Sequence, residues 1–138
     1  MKASVHEFGV EINVTPKMRA WFAYQGFPLK KTTNQITIPE RSFLRSTFDE
    51  ELKKITNYTH KKLVLVLTGE IKGKNFYETL GVYLQGRVQK KIKDIQSPPL
   101  HPLTIQNRQK ASGKKKNPSV LQDTGTMWQH ITYKIEKV

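Results

Sequence analysis

The sequence predicts an α+β fold, a small and mostly antiparallel sheet packed on two or three helices, with a long arm rich in proline and lysine. Three observations carry that expectation. Two stretches, 42–55 and 75–95, place apolar residues at helical spacing over several turns. Three short stretches, 10–14, 35–38 and 131–136, alternate apolar with polar residues at the strand period. Between the last long helix and the last strand, Pro98, Pro99 and Pro102 fall within five positions. Each proline removes a backbone donor and restricts its predecessor, so an extended loop or arm is expected over 97–120, with no helix and no central strand there.

Taken in order, Val10-Glu11-Ile12-Asn13-Val14 reads as a half-buried strand ended by Thr15-Pro16. Met18, Trp21 and Phe22 then sit at helical spacing, closed by Gly26 and Pro28. Lys30 to Asn34 reads as a hairpin tip or a connection, and Gln35 to Ile38 as a strand stopped by Pro39. From Ser42 a helix carries Phe43, Leu44, Phe48, Leu52 and Ile55 on one stripe. Asp49, Glu50, Glu51, Lys53 and Lys54 form a solvated opposite face, with Glu50 paired to Lys54. Thr59 to Thr68 contains Leu63-Val64-Leu65-Val66-Leu67, a run with no resolvable period, and fits a buried helix or a strand.

Asn75, with Glu78 three residues on, reads as a helix start, and Phe76, Leu80, Tyr83, Leu84, Val88, Ile92 and Ile95 make a continuous apolar face. Arg87, Lys90, Lys91 and Lys93 suit its negative C-terminal end. Gly81 and Gly86 are expected to admit a second backbone at close range. Beyond the arm, Thr126 to His130 makes about one helical turn. Ile131 to Glu136 makes a last strand whose inward set, Ile131, Tyr133 and Ile135, suits the same core as Val10, Ile12 and Val14.

At 138 residues the chain is read as one domain, 1–138, with one modest core. Its 24 Lys and Arg against 11 Asp and Glu give a formal charge of +13, which attracts polyanions or acidic protein surfaces. With no cysteine there is no disulfide, thiolate metal site or cysteine nucleophile. Glu7 and Glu11 interrupt the first 14 residues, so no signal peptide is expected. The apolar run from Leu63 to Leu67 is too short to span a bilayer, so a soluble protein without membrane contact is expected.

Candidate chemistry reduces quickly. Asp123-Thr124-Gly125 matches the aspartic-protease triplet, yet that reaction needs two aspartates sharing a proton, and one copy would demand a dimer. Polar Gln122 also precedes it where that family has an apolar strand, so the triplet reads as a structural turn whose Asp or Thr caps the next short helix. His6, His60, His101 and His130 are scattered, and Val10 stands where an HExxH motif starting at His6 needs its second histidine, so no metal is expected. Ser112-Gly113-Lys114-Lys115 lacks both the first glycine of a phosphate loop, Arg108 being there, and its closing Ser or Thr, so no nucleotide or other cofactor is expected. No catalytic residue is assigned.

The basic arm remains. Nine Lys or Arg stand against Asp94 alone between Arg87 and Lys116, and from Gln106 to Pro118 almost nothing is apolar. Either the arm touches phosphates or an acidic neighbour, or it is a solubilising loop. No aromatic residue is interleaved from Gln106 to Lys116, which disfavours base stacking, and no base-reading helix is evident, so any nucleic-acid contact would be blind to sequence.

His6-Glu7-Phe8-Gly9, Ile38-Pro39-Glu40-Arg41-Ser42-Phe43-Leu44-Arg45, Leu80-Gly81, Pro98-Pro99-Leu100 with Thr104-Ile105, Leu121 to Met127, and Ile131-Thr132-Tyr133 recur in an order and spacing that covers nearly the whole chain. In these the chain resembles the tailed-bacteriophage virion morphogenesis proteins of the neck and tail-completion type. The resemblance implies a non-enzymatic virion protein of the head–tail junction, made in the host cytoplasm. It implies copies assembled as a ring around the DNA path beside connector, tail-terminator or tail-tube proteins, and it implies that Thr59 to Thr68 is helical.

Related chains carry a further strand and helix before the His-Glu-Phe-Gly segment, so the sheet is expected to lack a strand that a neighbouring subunit would supply. On this reading Pro99, Leu100, His101, Pro102, Leu103 and Ile105 contact an adjacent subunit or the tail tube. Arg108, Lys110, Lys114, Lys115 and Lys116 face double-stranded DNA or an acidic connector. The competing expectation is a free nucleic-acid-binding protein that ignores sequence.

Overall fold

A computed structural model describes residues 2–112, 120–121 and 125–136. The order is α1 (Lys2–Phe8), β1 (Val10–Asn13), α2 (Pro16–Tyr24), β2 (Gln35–Ile38), α3 (Leu44–Leu67), α4 (Gly73–Asp94), α5 (Pro102–Ser112) and α6 (Thr126–Gln129). The fold is α+β, mainly helical, with a small antiparallel sheet of two strands among the described residues.

β1 and β2 pair in the register Val10 to Ile38, Glu11 to Thr37, Ile12 to Ile36 and Asn13 to Gln35. Side chains alternate across a strand, so Val10, Ile12, Ile36 and Ile38 share one face while Glu11, Asn13, Gln35 and Thr37 share the other. α2 fills the connection between the strands. Thr15 Oγ1 caps it by accepting from the Met18 N–H at 3.2 Å, and Pro16 occupies its first turn, where no donor is lost. Arg19 then reaches the carbonyls of Lys30, Lys31 and Thr33 and fixes the following turn.

α3 and α4 pack side by side. Thr59 to Leu67 continues α3, so the run without a period is helix. The apolar stripe expected on α3 divides: Phe43 and Ile55 are buried, whereas Leu44, Phe48 and Leu52 are exposed, Leu52 at 60 %. Of the charges expected on a solvated face, Asp49, Lys53 and Lys54 are exposed, whereas Glu50 and Glu51 turn toward α4. Glu51 meets Arg87 at 3.1 Å and Glu50 meets Lys91 at 2.5 Å, while Lys54 pairs with Glu51 in place of Glu50. The buried side of α3 runs instead through Thr47, whose hydroxyl bonds back to the Phe43 carbonyl, and Ile55.

α4 buries Phe76, Val88 and Ile92, as its period predicts. It begins two residues before Asn75, with Lys72 in the capping position. Asn75 and Glu78 therefore lie inside the helix, where Glu78 pairs with Lys74 at 3.8 Å. At Gly81 a Cβ would lie 2.3 Å from the Tyr133 ring, so the glycine admits an aromatic ring, not a backbone; Gly86 faces open space. The bend from α3 to α4 turns at Gly69, φ +78°, also with open space around it.

Two expectations fail after α4. The segment 97–120 is not an extended arm throughout, because Pro102 to Ser112 is helical. Proline is tolerated in a first helical turn, and here His101 Nδ1 accepts from the Leu103 N–H at 3.2 Å while its carbonyl receives the N–H groups of Thr104 and Ile105. Residues 113–119 lie outside the described residues. Ile131 to Glu136 forms no ladder with β1 or β2. It runs over α4, whose Gln85 and Gln89 donate to the Ile131 carbonyl at 2.8 and 3.4 Å.

The core is Phe43 of the α3 entry, Val88 and Ile92 of α4, and Val120 and Leu121, with Ala3, Ile95, Leu100, Met127, Trp128 and Ile131 packed around them. Among the described residues no helix is long and apolar enough to cross a membrane.

Candidate functional site

Three of the quoted motifs, His6 to Gly9, Ile38 to Arg45 and Pro98-Pro99, meet at the entry to α3, whereas Leu80-Gly81 meets Tyr133 further along α4. The residue in the helix-capping position there is Phe43, which has no side-chain acceptor, so the first N–H groups of α3 need an oxygen from elsewhere. Glu7, at the end of α1, supplies it. Its carboxylate accepts from the N–H groups of Phe43, Leu44 and Arg45 at 2.8, 2.9 and 3.0 Å and from the Ser42 hydroxyl at 2.8 Å. Arg45 adds an ion pair at 3.2 Å and bonds the Glu7 carbonyl and the Glu40 carboxylate. The Arg45 guanidinium lies 4.7 Å from the centre of the Phe8 ring.

Glu7 is 5 % exposed. Burial alone would raise its pKa. The donors from Leu44, Arg45, Phe43 and Ser42 outweigh that and hold it at about 2. The carboxylate is therefore ionised at neutral pH with its oxygens occupied, which suits a structural anchor and not a proton donor.

Gly9 makes the approach possible. Its φ is +68°, and a Cβ there would meet the Glu40 N at 2.9 Å and the Ile38 carbonyl oxygen at 3.0 Å. The Arg41 N–H donates to the His6 carbonyl at 2.7 Å. The Arg41 side chain, buried, donates from Nε and a terminal nitrogen to the carbonyls of Pro98 and Pro99, each at 2.9 Å. One arginine thus closes the proline segment onto the α1 to α3 junction.

That closure decides where the expected contact residues lie. Leu103 is buried and Leu100 packs against the core, so these two serve the chain's own body. Ile105 is half-buried; Pro99, His101 and Pro102 are exposed, and the His101 ring meets Phe27 edge-on at 5.8 Å. Arg108 is half-buried beside the junction, where its charge acts on both His6 and Arg41. Burial first, then Arg41 and Arg108, lower the His6 pKa.

Lys110 is exposed. Lys114, Lys115, Lys116, Asp123 and Thr124 lie outside the described residues. Gly125 takes the capping position of α6 with φ +81°. Among the described residues no three His, Asp or Glu side chains group as metal ligands.

Sequence reasoning missed the capping role of Glu7 and the grip of Arg41. A helix opening on Phe43 with no acceptor was the available signal, but nothing local identified the donor of the carboxylate. A second cluster lies further along the α3–α4 pair, where Tyr58 stacks on Tyr83 at 4.0 Å, flanked by Lys62 and Arg87. With Glu78, Thr79, Val82 and Tyr133, the two tyrosines line an open depression. No protein-family model, no curated protein and no solved structure matches the chain.

Proposed function

We propose that the chain is a structural protein of the phage head–tail junction, of the neck or tail-completion type, which acts as a ring of copies joining tail to head around the DNA path. It acts by surface contact, without catalysis or cofactor. The observation that supports this best is the apolar surface that α3 leaves exposed. Leu44, Phe48, Leu52, Leu63, Val64 and Leu67 are all exposed on one 24-residue helix. That much exposed apolar surface on a chain of +13 favours burial against other polypeptides over life as a free globule. The junction of Glu7, Arg41 and Pro98-Pro99 supports the same reading, because it ties together three of the segments that carry the resemblance.

The net charge favours one competing reading, a free protein that binds nucleic acid without regard to sequence. Light scattering on the purified chain and a DNA gel shift over a salt series separate the two. The ring reading expects multimers at micromolar concentration and weak DNA binding. A monomer that binds DNA avidly, with affinity falling steeply in salt, overturns it.

A further inference from the structure

We propose that the segment 131–136 of one copy adds as an antiparallel strand to the outer edge of β1 in the next copy. This rests on the reading that copies assemble and names the contact that links them. Both halves of the contact are present in the chain, and no described residue pairs with either as a strand there. Just past β1, the Val14 N–H bonds the carbonyl of Asn34, just before β2, at 2.8 Å. Backbone groups alternate along a strand, so Val10 and Ile12 also face β2, and Glu11 and Asn13 turn their N–H and C=O groups to the outer edge. No described residue bonds them there. Such an edge is a template for another strand.

The segment 131–136 has the complementary form. It lies in no helix or strand, is largely exposed, and pairs with no strand among the described residues. The Ile131 carbonyl is directed to Gln85 and Gln89 of α4, so in a strand conformation the same alternation turns the backbone groups of Thr132 and Lys134 to the opposite side. Tyr133 seats its ring on Gly81, while Lys134 and Glu136 meet at 2.7 Å on the other face.

One antiparallel register satisfies every position. Setting Glu11 opposite Lys134 joins a carboxylate to an ammonium and places Asn13 opposite Thr132, both as hydrogen-bonded pairs. Val10 then faces Ile135 and Ile12 faces Tyr133, so the apolar faces of the ribbon and of the added strand coincide. Val10, Ile12, Tyr133 and Ile135 are all exposed in the single chain, and the pairing covers them together. A shift of one residue would set Lys134 and Glu136 on the apolar face.

Because the chain has no cysteine, engineered pairs report this register directly. Opposed residues of a non-hydrogen-bonded pair have Cα atoms about 4.5 Å apart, within disulfide reach. Val10→Cys and Ile135→Cys chains, mixed and oxidised, are expected to give a disulfide-linked heterodimer. Val10→Cys mixed with Lys134→Cys is expected to give at least tenfold less. Lys134→Pro, which removes the N–H aimed at Glu11, is expected to lower the mass in solution and leave the far-ultraviolet circular dichroism unchanged. Multimers that persist in Lys134→Pro, with no heterodimer from the matched pair, overturn the strand contact and leave the ring reading standing. A wild-type chain that is monomeric at all concentrations overturns both.

Discussion

At the scale of single residues, Glu7 has the largest consequence. Its folded pKa, about 2, lies below the ordinary 4.5, so the stability it contributes is fully present above pH 4.5 and is lost as pH falls toward 2. At about 1.36 kcal/mol per pKa step the contribution is roughly 3 kcal/mol. Glu7→Gln is therefore expected to lower unfolding stability at pH 7 by about 2–3 kcal/mol and to flatten the acid limb of a urea-denaturation series between pH 5 and 2. A mutant limb as steep as that of the wild type would refute the assignment.

Arg41→Lys keeps the charge but loses the planar fork that reaches two carbonyls, at a cost of about 1–3 kcal/mol. Faster proteolysis around 96–101 is its expected signature. Neither role was legible locally. The partners of Glu7 lie 35 to 38 positions further on, and only folding brings a carboxylate from α1 to an uncapped helix.

Among the elements, what could be read depended on whether one face alone sets the pattern. β1 and β2 were legible from alternation, and α4 from Phe76, Val88 and Ile92, because in each case one side of the element follows one period. The Met18–Phe22 spacing likewise foretold α2. α1 was not legible, since Lys2 to Phe8 carries no stripe and its place is fixed by distant partners of His6, Glu7 and Phe8 and by the packing of Ala3. α5 was misread because the prolines were treated as breakers without regard to position, although Pro102 opens its helix.

The two α4 glycines give an opposed pair of tests. Gly86→Ala adds a methyl to open space in a helix interior and is expected to raise stability by about 0.5–1 kcal/mol in urea unfolding. Gly81→Ala drives a methyl into the Tyr133 ring and is expected to lower stability by about 1–3 kcal/mol, with faster hydrogen exchange over 131–136.

For the whole molecule, the distribution of apolar side chains matters more than the size of the core. The buried cluster is small, while α3 leaves apolar side chains exposed toward both of its ends. Phe48→Lys with Leu52→Lys is expected to change monomer stability by less than about 1 kcal/mol, because neither residue is buried in the single chain. The same pair is expected to reduce the mass in solution if α3 is covered in the assembly, and light scattering reads both species. The general class of fold was open to sequence reasoning because period and composition are local. Which leucines face outward was not, since that depends on how α3 meets α4, through the ion pairs of Glu51 with Arg87 and Glu50 with Lys91 among other contacts.

The bend at Gly69 has a practical use. It lies at the opposite end of α3 from the Glu7 anchor, and its neighbourhood is unoccupied. A short epitope spliced there would hang clear of the frame without loosening it. If copies assemble as proposed, gold-labelled antibody against that epitope, viewed on the assemblies, would then reveal how each copy is oriented relative to its neighbours.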